Sequence, residues 1–307
     1  MDLFLNMVRG FCMALADSVP GVSGGTIAFV LGFYDEFIGS LYVLTHGNRE
    51  LKREGIRFLA KLGMGWVIGM GSSVLVISSL FTSRIYELSS LFLGFSIFSL
   101  PLIIREEKEC LRRVSRLLFL VLGIVLVLVI AAVNPTGGQG TNVEIAHLTP
   151  LLGGYIFVCA MIAICAMVLP GISGSTMLLI FGLYIPIING IHDLLHLNFH
   201  MLPILIVFGL GVITGIISII KLIQNALTKH RGATVYLIIG MMLGSLYSVF
   251  MGPTTLENPQ PAMGLHTFSI VFFLIGGVVI LGMQGLKMLS DKNSTPANEP
   301  KAEVQAK

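Results

Sequence analysis

Long uncharged apolar runs recur along the chain, separated by short polar segments. Each run is long enough to cross the hydrocarbon layer of a bilayer, roughly 30 Å thick, as an α-helix. Mean hydropathy is +0.90 and only 11% of the residues are charged, whereas about a quarter is usual in soluble domains. The pattern predicts an all-α polytopic membrane protein. Six ordinary spans are predicted, at residues 62–83, 88–104, 117–133, 201–220, 232–250 and 268–286.

Two further apolar segments are each interrupted by the motif Pro-Gly-x-Ser-Gly. The arms beside the first break are residues 3–17 and 24–43, and those beside the second are 149–168 and 175–191. The opening arm has about 15 residues, short of the roughly 20 that a crossing helix needs. This favours a re-entrant hairpin that dips into the membrane and returns, but the longer arms of the second pair leave full crossing open.

The two halves of the chain are copies of one unit. Residues 19–34 and 169–184 align at a constant offset of 150 residues, with seven identities in sixteen positions. Glycines in the following span match at an offset of 146 residues. They are Gly63, Gly65 and Gly69 in the first copy and Gly209, Gly211 and Gly215 in the second. A repeated pattern of this kind indicates an internal duplication.

The duplication predicts the organisation of the chain. The first repeat would cover residues 1–133, with its hairpin at 3–43 and its break at 18–26. An external linker would follow at 134–148. The second repeat would cover 149–289, with its hairpin at 149–191 and its break at 169–176. Residues 290–307 are polar and are predicted to form a disordered cytoplasmic tail.

Lys and Arg collect in alternate loops, and these residues prefer the cytoplasmic side of a membrane. Residues 49–57 and 105–116 are rich in them, whereas 134–148, 190–200 and 251–267 contain none. This alternation predicts that both termini are cytoplasmic. Because three spans per half is an odd number, the second copy would be inverted relative to the first. Re-entrant hairpins would then bring both breaks to the midplane, where inverted-repeat transporters hold their substrates.

The residues of the two breaks are suited to binding an anion. Proline stops the helix and glycine frees the backbone at Pro20, Gly21, Pro170 and Gly171. The next helix would then begin with unpaired N–H groups and hydroxyls, at the positive end of its dipole. The alternative is that these are kinked helices whose Ser and Thr cap their own backbone. The residues expected to bind a phosphate are Ser23, Gly24, Gly25, Thr26, Ser173, Gly174, Ser175 and Thr176.

Charged residues lie in the arms of the first break. Asp17 precedes the break, where the second copy has Met167, and an ionisable residue at membrane depth is usually functional. We expect Asp17 to carry protons or to gate the substrate; the alternative is a carboxylate that pairs with Arg9 or caps the break. Arg9 would supply charge for an anionic head group, or else snorkel to the surface. Asp35 and Glu36 are expected to be solvated at the interface.

Several other chemistries are not expected. The charge pattern lacks the basic face interleaved with aromatic residues that binds nucleic acid. The four cysteines have neither CxxC nor metal-finger spacing, and His192, His196 and His200 are interpreted as interfacial residues rather than metal ligands. Residues 21–25 match the nucleophile-elbow pattern, but no strand precedes them. Neither a cofactor nor a metal is therefore expected.

The segments VPGVSGGT and LPGISGST, each followed by Gly-x-Tyr, resemble a bacterial membrane family of polyprenyl-phosphate transporters. The resemblance covers about residues 1–289, with ADSVPGVSGGT at 16–26 as its most specific segment. It implies a flippase, not an enzyme, that returns undecaprenyl phosphate from the outer to the inner leaflet of the cytoplasmic (inner) membrane. The lipid would serve the synthesis of envelope polymers such as peptidoglycan, and transport would be coupled to protons or another ion. The implied partners are the polyprenyl phosphate lipid and the bilayer.

Two rival functions stay open. Undecaprenyl pyrophosphate phosphatases have inverted repeats with Pro-Gly-x-Ser-Arg-Ser segments, which this chain resembles up to the serine. Gly24 and Gly174 stand where that family has arginine, and no Glu-x-x-x-Glu pair surrounds Asp17. Without the arginine, no residue stabilises the negative charge on the leaving group. Without the paired carboxylates, no residue transfers the proton. The other rival is a transporter of a small soluble anion.

The loop charges make the topology testable. Single cysteines introduced at 134–148 or 251–267, in a background without native cysteines, should react with an impermeant thiol reagent added outside cells. Cysteines at 105–116 should react only when the inner face of the membrane is made accessible. Labelling of 105–116 from outside would contradict the inverted arrangement.

Overall fold

The computed structural model describes residues 2–17, 23–72, 84–112, 116–133, 149–195, 197–255 and 259–294. Within these ranges helices are joined by turns and short connections, and no strand occurs, which confirms the predicted all-α fold. The helices of the first copy are α1 (Asp2–Asp17), α2 (Gly24–Val30), α3 (Tyr34–His46), α4 (Arg49–Ser72), α5 (Ile85–Glu106) and α6 (Leu117–Val133). Those of the second copy are α7 (Pro150–Val168), α8 (Gly174–Ile180), α9 (Tyr184–Leu195), α10 (Leu202–Lys229), α11 (Arg231–Met251) and α12 (Ile270–Ser294).

Helices long and apolar enough to cross a membrane occur in both copies. In the described part of the chain they are α5, α7, α10 and α11, the last of which continues as a 3-10 turn. Helix α6 and the apolar part of α12, Ile270–Gly282, are shorter. The pairs α2–α3 and α8–α9 have the length and composition of a span only when each bent pair is counted as one. The chain is a multi-pass membrane protein, as predicted.

The second arm of each hairpin is broken, which corrects the single arms predicted at 24–43 and 175–191. Helices α2 and α3 meet at a bend of 120°, and α8 and α9 meet at a bend of 112°. Each copy therefore has two interruptions in its opening segment, the Pro-Gly-x-Ser-Gly break and a second one at the Gly-x-Tyr sequence.

A glycine in the left-handed region ends α2 and α8 in the same way. Gly32 has φ +69° and Gly182 has φ +68°, a conformation that disfavours side chains with a Cβ. After Gly32, the Phe33 N–H donates to the Ala28 carbonyl at 3.0 Å, as in a Schellman motif. The equivalent bond in the second copy runs from the Leu183 N–H to the Leu178 carbonyl at 2.9 Å. The glycine of Gly-x-Tyr is thus required by the turn.

The predicted span 62–83 differs in extent from the helix that contains it. Helix α4 begins at Arg49, so the basic residues 49–57 lie in its first turns rather than in a loop before it. The helix extends this far because Gly55, Phe58 and Leu62 already form a buried face there. Residues 73–83 lie outside the described residues.

Helix pairing follows the same plan in both copies. The most extensive contacts within a copy join α1 to α4 and α7 to α10, and those between copies join α6 to α11 and α12 to α5. When the first copy is exchanged for the second, α1–α4 becomes α7–α10, and α6–α11 becomes α12–α5. The two halves therefore share one core and are not separate bundles.

Matching glycines allow these helix backbones to approach closely. A Cβ added to Gly69 would lie 2.8 Å from the Phe11 carbonyl oxygen, and one added to Gly215 would lie 2.7 Å from the Met161 carbonyl oxygen. Between copies, Gly94 packs against the Phe273 carbonyl and Gly240 against the Leu120 carbonyl. Small residues at such contacts are the usual means of helix association in membranes.

The C-terminal helix extends beyond the predicted repeat. Helix α12 continues to Ser294, so it includes the first residues of the tail predicted at 290–307. The rest of that tail and the predicted external linker at 134–148 lie outside the described residues.

Replacement of Gly69 by alanine should destabilise the protein, because the new Cβ meets the α1 backbone and must separate α1 from α4. A loss of about 1–3 kcal/mol is typical of such overpacking. The matched control is Gly63→Ala in the same helix, where no atom lies within 4 Å of an added Cβ. Unfolding transitions in detergent should show a lower midpoint for Gly69→Ala alone, and equal midpoints for both variants would contradict the close packing.

Candidate functional site

The two Pro-Gly-x-Ser-Gly breaks touch each other inside the helical core. The Ser23 hydroxyl donates to the Met167 carbonyl at 3.2 Å, and the Tyr34 hydroxyl donates to the Val168 carbonyl at 3.1 Å. These carbonyls belong to the last turn of α7, which leaves such groups unpaired within the helix. The first copy thus supplies the hydroxyls that satisfy the end of the broken helix in the second.

A hydrogen bond donated by the second copy to the first completes the junction between the breaks. The Gly171 N–H donates to the Thr26 Oγ1 at 2.7 Å, and both residues are buried. Gly171 has φ +91°, and a Cβ there would lie 2.6 Å from the Met241 carbonyl oxygen. Only glycine fits this position, because both its backbone conformation and its neighbour exclude a side chain.

In the first break, the start of α2 is already bonded by the protein. Ser23 is fully buried and is the N-cap residue, and its hydroxyl oxygen accepts from the Gly25 N–H at 3.1 Å. A Cβ added to Gly25 would lie 2.8 Å from the Val168 carbonyl oxygen, so glycine permits the two copies to approach. Sequence reasoning identified these residues as anion ligands; the structure shows that in this conformation they bond to protein.

Asp17 caps the start of the same helix. Its Oδ1 accepts from the Gly24 N–H at 2.7 Å, and its Oδ2 accepts from the Trp66 indole N–H at 3.1 Å. The structure therefore shows the capping role that was given as an alternative for Asp17, and its proton-carrying or gating role stays a prediction. Trp66 was missed by sequence reasoning, although it is the only tryptophan of the chain and lies in a predicted span.

Helix α8 begins after an extended N-cap serine, as α2 does, but its side chains bond differently. Ser173 is the N-cap residue of α8 and makes no side-chain capping bond. Its Oγ lies 2.8 Å from the Ser175 Oγ. Met167 lies against Gly174, with its Cβ 3.0 Å from where a Cβ of Gly174 would be, just as the Asp17 carboxylate lies against Gly24. A thioether thus occupies the position that a carboxylate occupies in the first copy.

Arg9 lies near the junction of α2 and α3. It is buried, its Nη1 donates to the Asn6 Oδ1 at 2.8 Å, and it lies 3.5 Å from the Glu36 Oε2. Its guanidinium carbon lies 4.9 Å from the centre of the Phe33 ring, within the range of a cation–π contact. Glu36 is consequently an ion-pair partner and not merely a solvated residue, because a charge in an apolar arm is stabilised by pairing.

Asp35 is also paired, and its partner is in the other copy. The Arg231 Nη1 donates to the Asp35 Oδ2 at 2.7 Å, and the Arg231 Nε donates to the Glu107 Oε2 at 3.1 Å. A further bond joins the Arg231 Nη2 to the Glu107 Oε1. Helices α3, α5 and α11 are joined at this point, a contact that the loop charges alone did not reveal.

Two predicted break residues, Pro20 and Gly21, lie outside the described residues. The second break is described, and its residues from Pro170 to Gly174 are buried. Among the described residues there is no group of three or more His, Cys, Asp or Glu side chains that could hold a metal ion.

Comparison with known proteins identifies the family. The family model described as undecaprenyl phosphate translocase-like matches residues 13–267. The chain belongs to this family. A polyprenyl-phosphate transporter of Staphylococcus aureus is 35% identical over 280 residues, which are 91% of this chain and 95% of the relative. One of Vibrio cholerae is 30% identical over 267 residues, which are 84% of this chain and 80% of the relative. No solved structure matches the chain.

Membership of the undecaprenyl phosphate translocase-like family confirms the resemblance seen in the paired breaks. Both relatives are named as transporters and not as enzymes, which agrees with the expectation that the chain is not a phosphatase. The matched region includes the described residues of both breaks, so the junction between the copies lies within the part that defines the family.

Loss of the acceptor at Thr26 should weaken the junction. Thr26→Val keeps the shape of the side chain but leaves the buried Gly171 N–H without a partner, which typically costs about 1–3 kcal/mol. Thr214→Val is the matched control, because the Thr214 hydroxyl is exposed and donates only to the Leu210 carbonyl of its own helix. Unfolding in a denaturing detergent should separate the two variants, and equal stability would contradict a structural role for the Thr26 acceptor.

Proposed function

We propose that the chain transports polyprenyl phosphate, specifically undecaprenyl phosphate, from the outer to the inner leaflet of the bacterial cytoplasmic membrane. Family membership and the names of the two relatives support the lipid. The observation that carries the proposal is the direct contact of the two breaks, through Thr26 and Gly171, within one helical core. A transporter needs a polar site that both faces of the membrane can reach in turn, and two joined broken helices provide such a site.

The proposed architecture is an inverted repeat with both termini cytoplasmic. The support is the exchange symmetry of the helix pairs, in which α1–α4 corresponds to α7–α10 and α6–α11 corresponds to α12–α5. The alternation of Lys and Arg among the loops supports the orientation. In this arrangement the opening hairpins are re-entrant, and the linker between the copies is external.

The phosphate site proposed here uses donors from both breaks. On the second side, the Ser173 and Ser175 hydroxyls bond to one another, and the Gly174 and Thr176 backbone lies beside them. On the first side, the Ser23 hydroxyl and the Gly24 N–H are bonded to protein acceptors. The head group would therefore bind the second break first and contact the first break only after those bonds open.

Charged residues have distinct proposed roles. Asp17 would couple transport to protons, because its carboxylate holds the start of α2 and on protonation would release the Gly24 N–H donor. Arg9 could bind the phosphate only by exchanging Glu36 for the head group. Neither role needs a second acid, which agrees with Met167 at the matching position of the other copy.

The function is tested by leaflet-resolved transport of labelled undecaprenyl phosphate in proteoliposomes containing the purified chain. Transfer between leaflets above that of protein-free liposomes is expected, with no inhibition by an excess of inorganic phosphate. Strong inhibition, or uptake of the soluble anion itself, would favour the soluble-anion alternative. Release of phosphate from undecaprenyl pyrophosphate would instead assign a phosphatase.

Removal of hydroxyls from the second break should weaken substrate binding. A hydrogen bond to a charged group contributes roughly 1.5–3 kcal/mol, so Ser173→Ala and Ser175→Ala should each lower affinity about tenfold or more. The matched control is Ser218→Ala, whose hydroxyl is exposed and donates to the Thr214 carbonyl of its own helix. Binding of undecaprenyl phosphate in nanodiscs is measured for each variant, and unchanged affinity in both break variants would remove these serines from the site.

A further inference from the structure

We propose that Trp66 is a positioning residue that holds the Asp17 carboxylate on the start of α2, and that opening of this contact is the step through which Asp17 acts. The proposal rests on the coupling role of Asp17 in the proposed function. Its geometric basis is one carboxylate shared by two donors, the Gly24 N–H at 2.7 Å and the Trp66 indole N–H at 3.1 Å. Together, Trp66, Asp17 and Gly24 are called the carboxylate clamp below.

The indole reaches the carboxylate because α1 and α4 are packed closely. A Cβ added to Gly10 in α1 would lie 2.9 Å from the Trp66 backbone nitrogen, so the two helices lie almost in backbone contact at this level. Trp66 is partly buried against the hydrophobic core, and its side chain has a single donor and no acceptor. That donor is bonded to Asp17, which fixes the direction of one carboxylate oxygen.

The hydrogen bond between Asp17 and Trp66 has no counterpart in the second copy. The position that matches Asp17 is Met167, at the offset of 150, and the position that matches Trp66 is Val212, at the offset of 146. Both members of the polar pair are therefore replaced by apolar residues in the second copy. The surrounding backbone contact is nevertheless retained, since α7 packs on α10 as α1 packs on α4. The helix packing does not require the Asp–Trp pair, so the pair is assigned another role.

Few groups interact with the Asp17 carboxylate. Helix α4 presents the Trp66 indole and α2 presents the Gly24 amide, and no charged side chain among the described residues interacts with the carboxylate. Its charge therefore depends on burial and on these two donors. The ionised carboxylate accepts both hydrogen bonds, whereas a protonated one gains a donor and loses acceptor capacity.

Opening of the carboxylate clamp would reach the other copy through α2. Gly24 is the first residue of α2, next to Ser23, whose hydroxyl donates to the Met167 carbonyl. Thr26, in the first turn, accepts from the Gly171 N–H. A shift of α2 after loss of the Asp17 contact would therefore loosen the bonds that join the two breaks. Protonation at Asp17 and access to the phosphate site would be linked through this short helix.

The chain carries its own reporter of the clamp, because Trp66 is its only tryptophan. Tryptophan emission of the full-length protein in nanodiscs, measured across pH, should show a transition that is absent in Asp17→Asn. Glu87→Gln is the control, since Glu87 pairs with Arg84 at the start of α5 and lies outside the clamp; it should keep the transition. The same emission in Asp17→Asn and in the unaltered protein at every pH would overturn the proposal.

Trp66→Phe keeps the aromatic bulk and removes the indole N–H. Loss of a donor to a charged carboxylate favours its protonated form, so the pH dependence of undecaprenyl phosphate transfer should move to higher pH, by about tenfold in proton concentration. A Trp66→Phe protein that transports more slowly at every pH, with an unmoved midpoint, would show that Trp66 is merely structural and would overturn the positioning role.

The two measurements distinguish failure of this inference from failure of the proposed function. An Asp17-dependent emission transition in a protein that does not transfer undecaprenyl phosphate would support the clamp and reject the transport function. Transfer of undecaprenyl phosphate without an Asp17-dependent emission transition would support the transport function and reject the clamp.

Discussion

A helix that is broken inside a membrane leaves carbonyl and N–H groups that lipid cannot satisfy. The rest of this structure depends on how that constraint is met. The last turn of α7 is satisfied by hydroxyls of the first copy, from Ser23 and Tyr34, and the Gly171 N–H is satisfied by Thr26. Because hydroxyls of the first copy satisfy backbone groups of the second, the two breaks lie together, and the helices that carry them form one core.

The backbone turns and helix packing are shared by the two copies, whereas the charged residues are not. Both copies turn at a glycine of positive φ, at Gly32 and Gly182, and both pack their first and fourth helices through glycines. At the start of α2, however, the N–H of Gly24 is bonded to a carboxylate, and at the start of α8 a methionine stands in its place. The described helix starts of the two breaks are therefore alike in backbone and unlike in the side chain that faces them.

The sequence predicts those features that depend on residue type at a fixed spacing. The spans are visible as uncharged apolar runs, and the duplication and the breaks are visible because proline, glycine and hydroxyl residues recur at a constant offset. It does not predict which donors are already bonded, since the bonds of Ser23 depend on where α7 ends in space. Nor does it predict the pair of Arg231 and Asp35, which are 196 positions apart. The bends after α2 and α8 were missed because apolar residues continue through both turns.

Two identical inverted halves would give a transporter two conformations of equal free energy, related by exchange of the halves. This chain departs from that equality at residues that have no charged counterpart. Arg9 and Asp35 match Cys159 and Ile185 at the offset of 150, and Arg231 matches Ile85 at the offset of 146. The ion pairs of Arg9 and Arg231 therefore have no equivalents at the matching positions. Such pairs stabilise the conformation in which they are closed, so in a two-state transport cycle they would make the two states unequal before any substrate or ion binds. In the proposed transport cycle, the duplicated scaffold provides alternate access, and the unmatched charges determine which state the empty protein prefers.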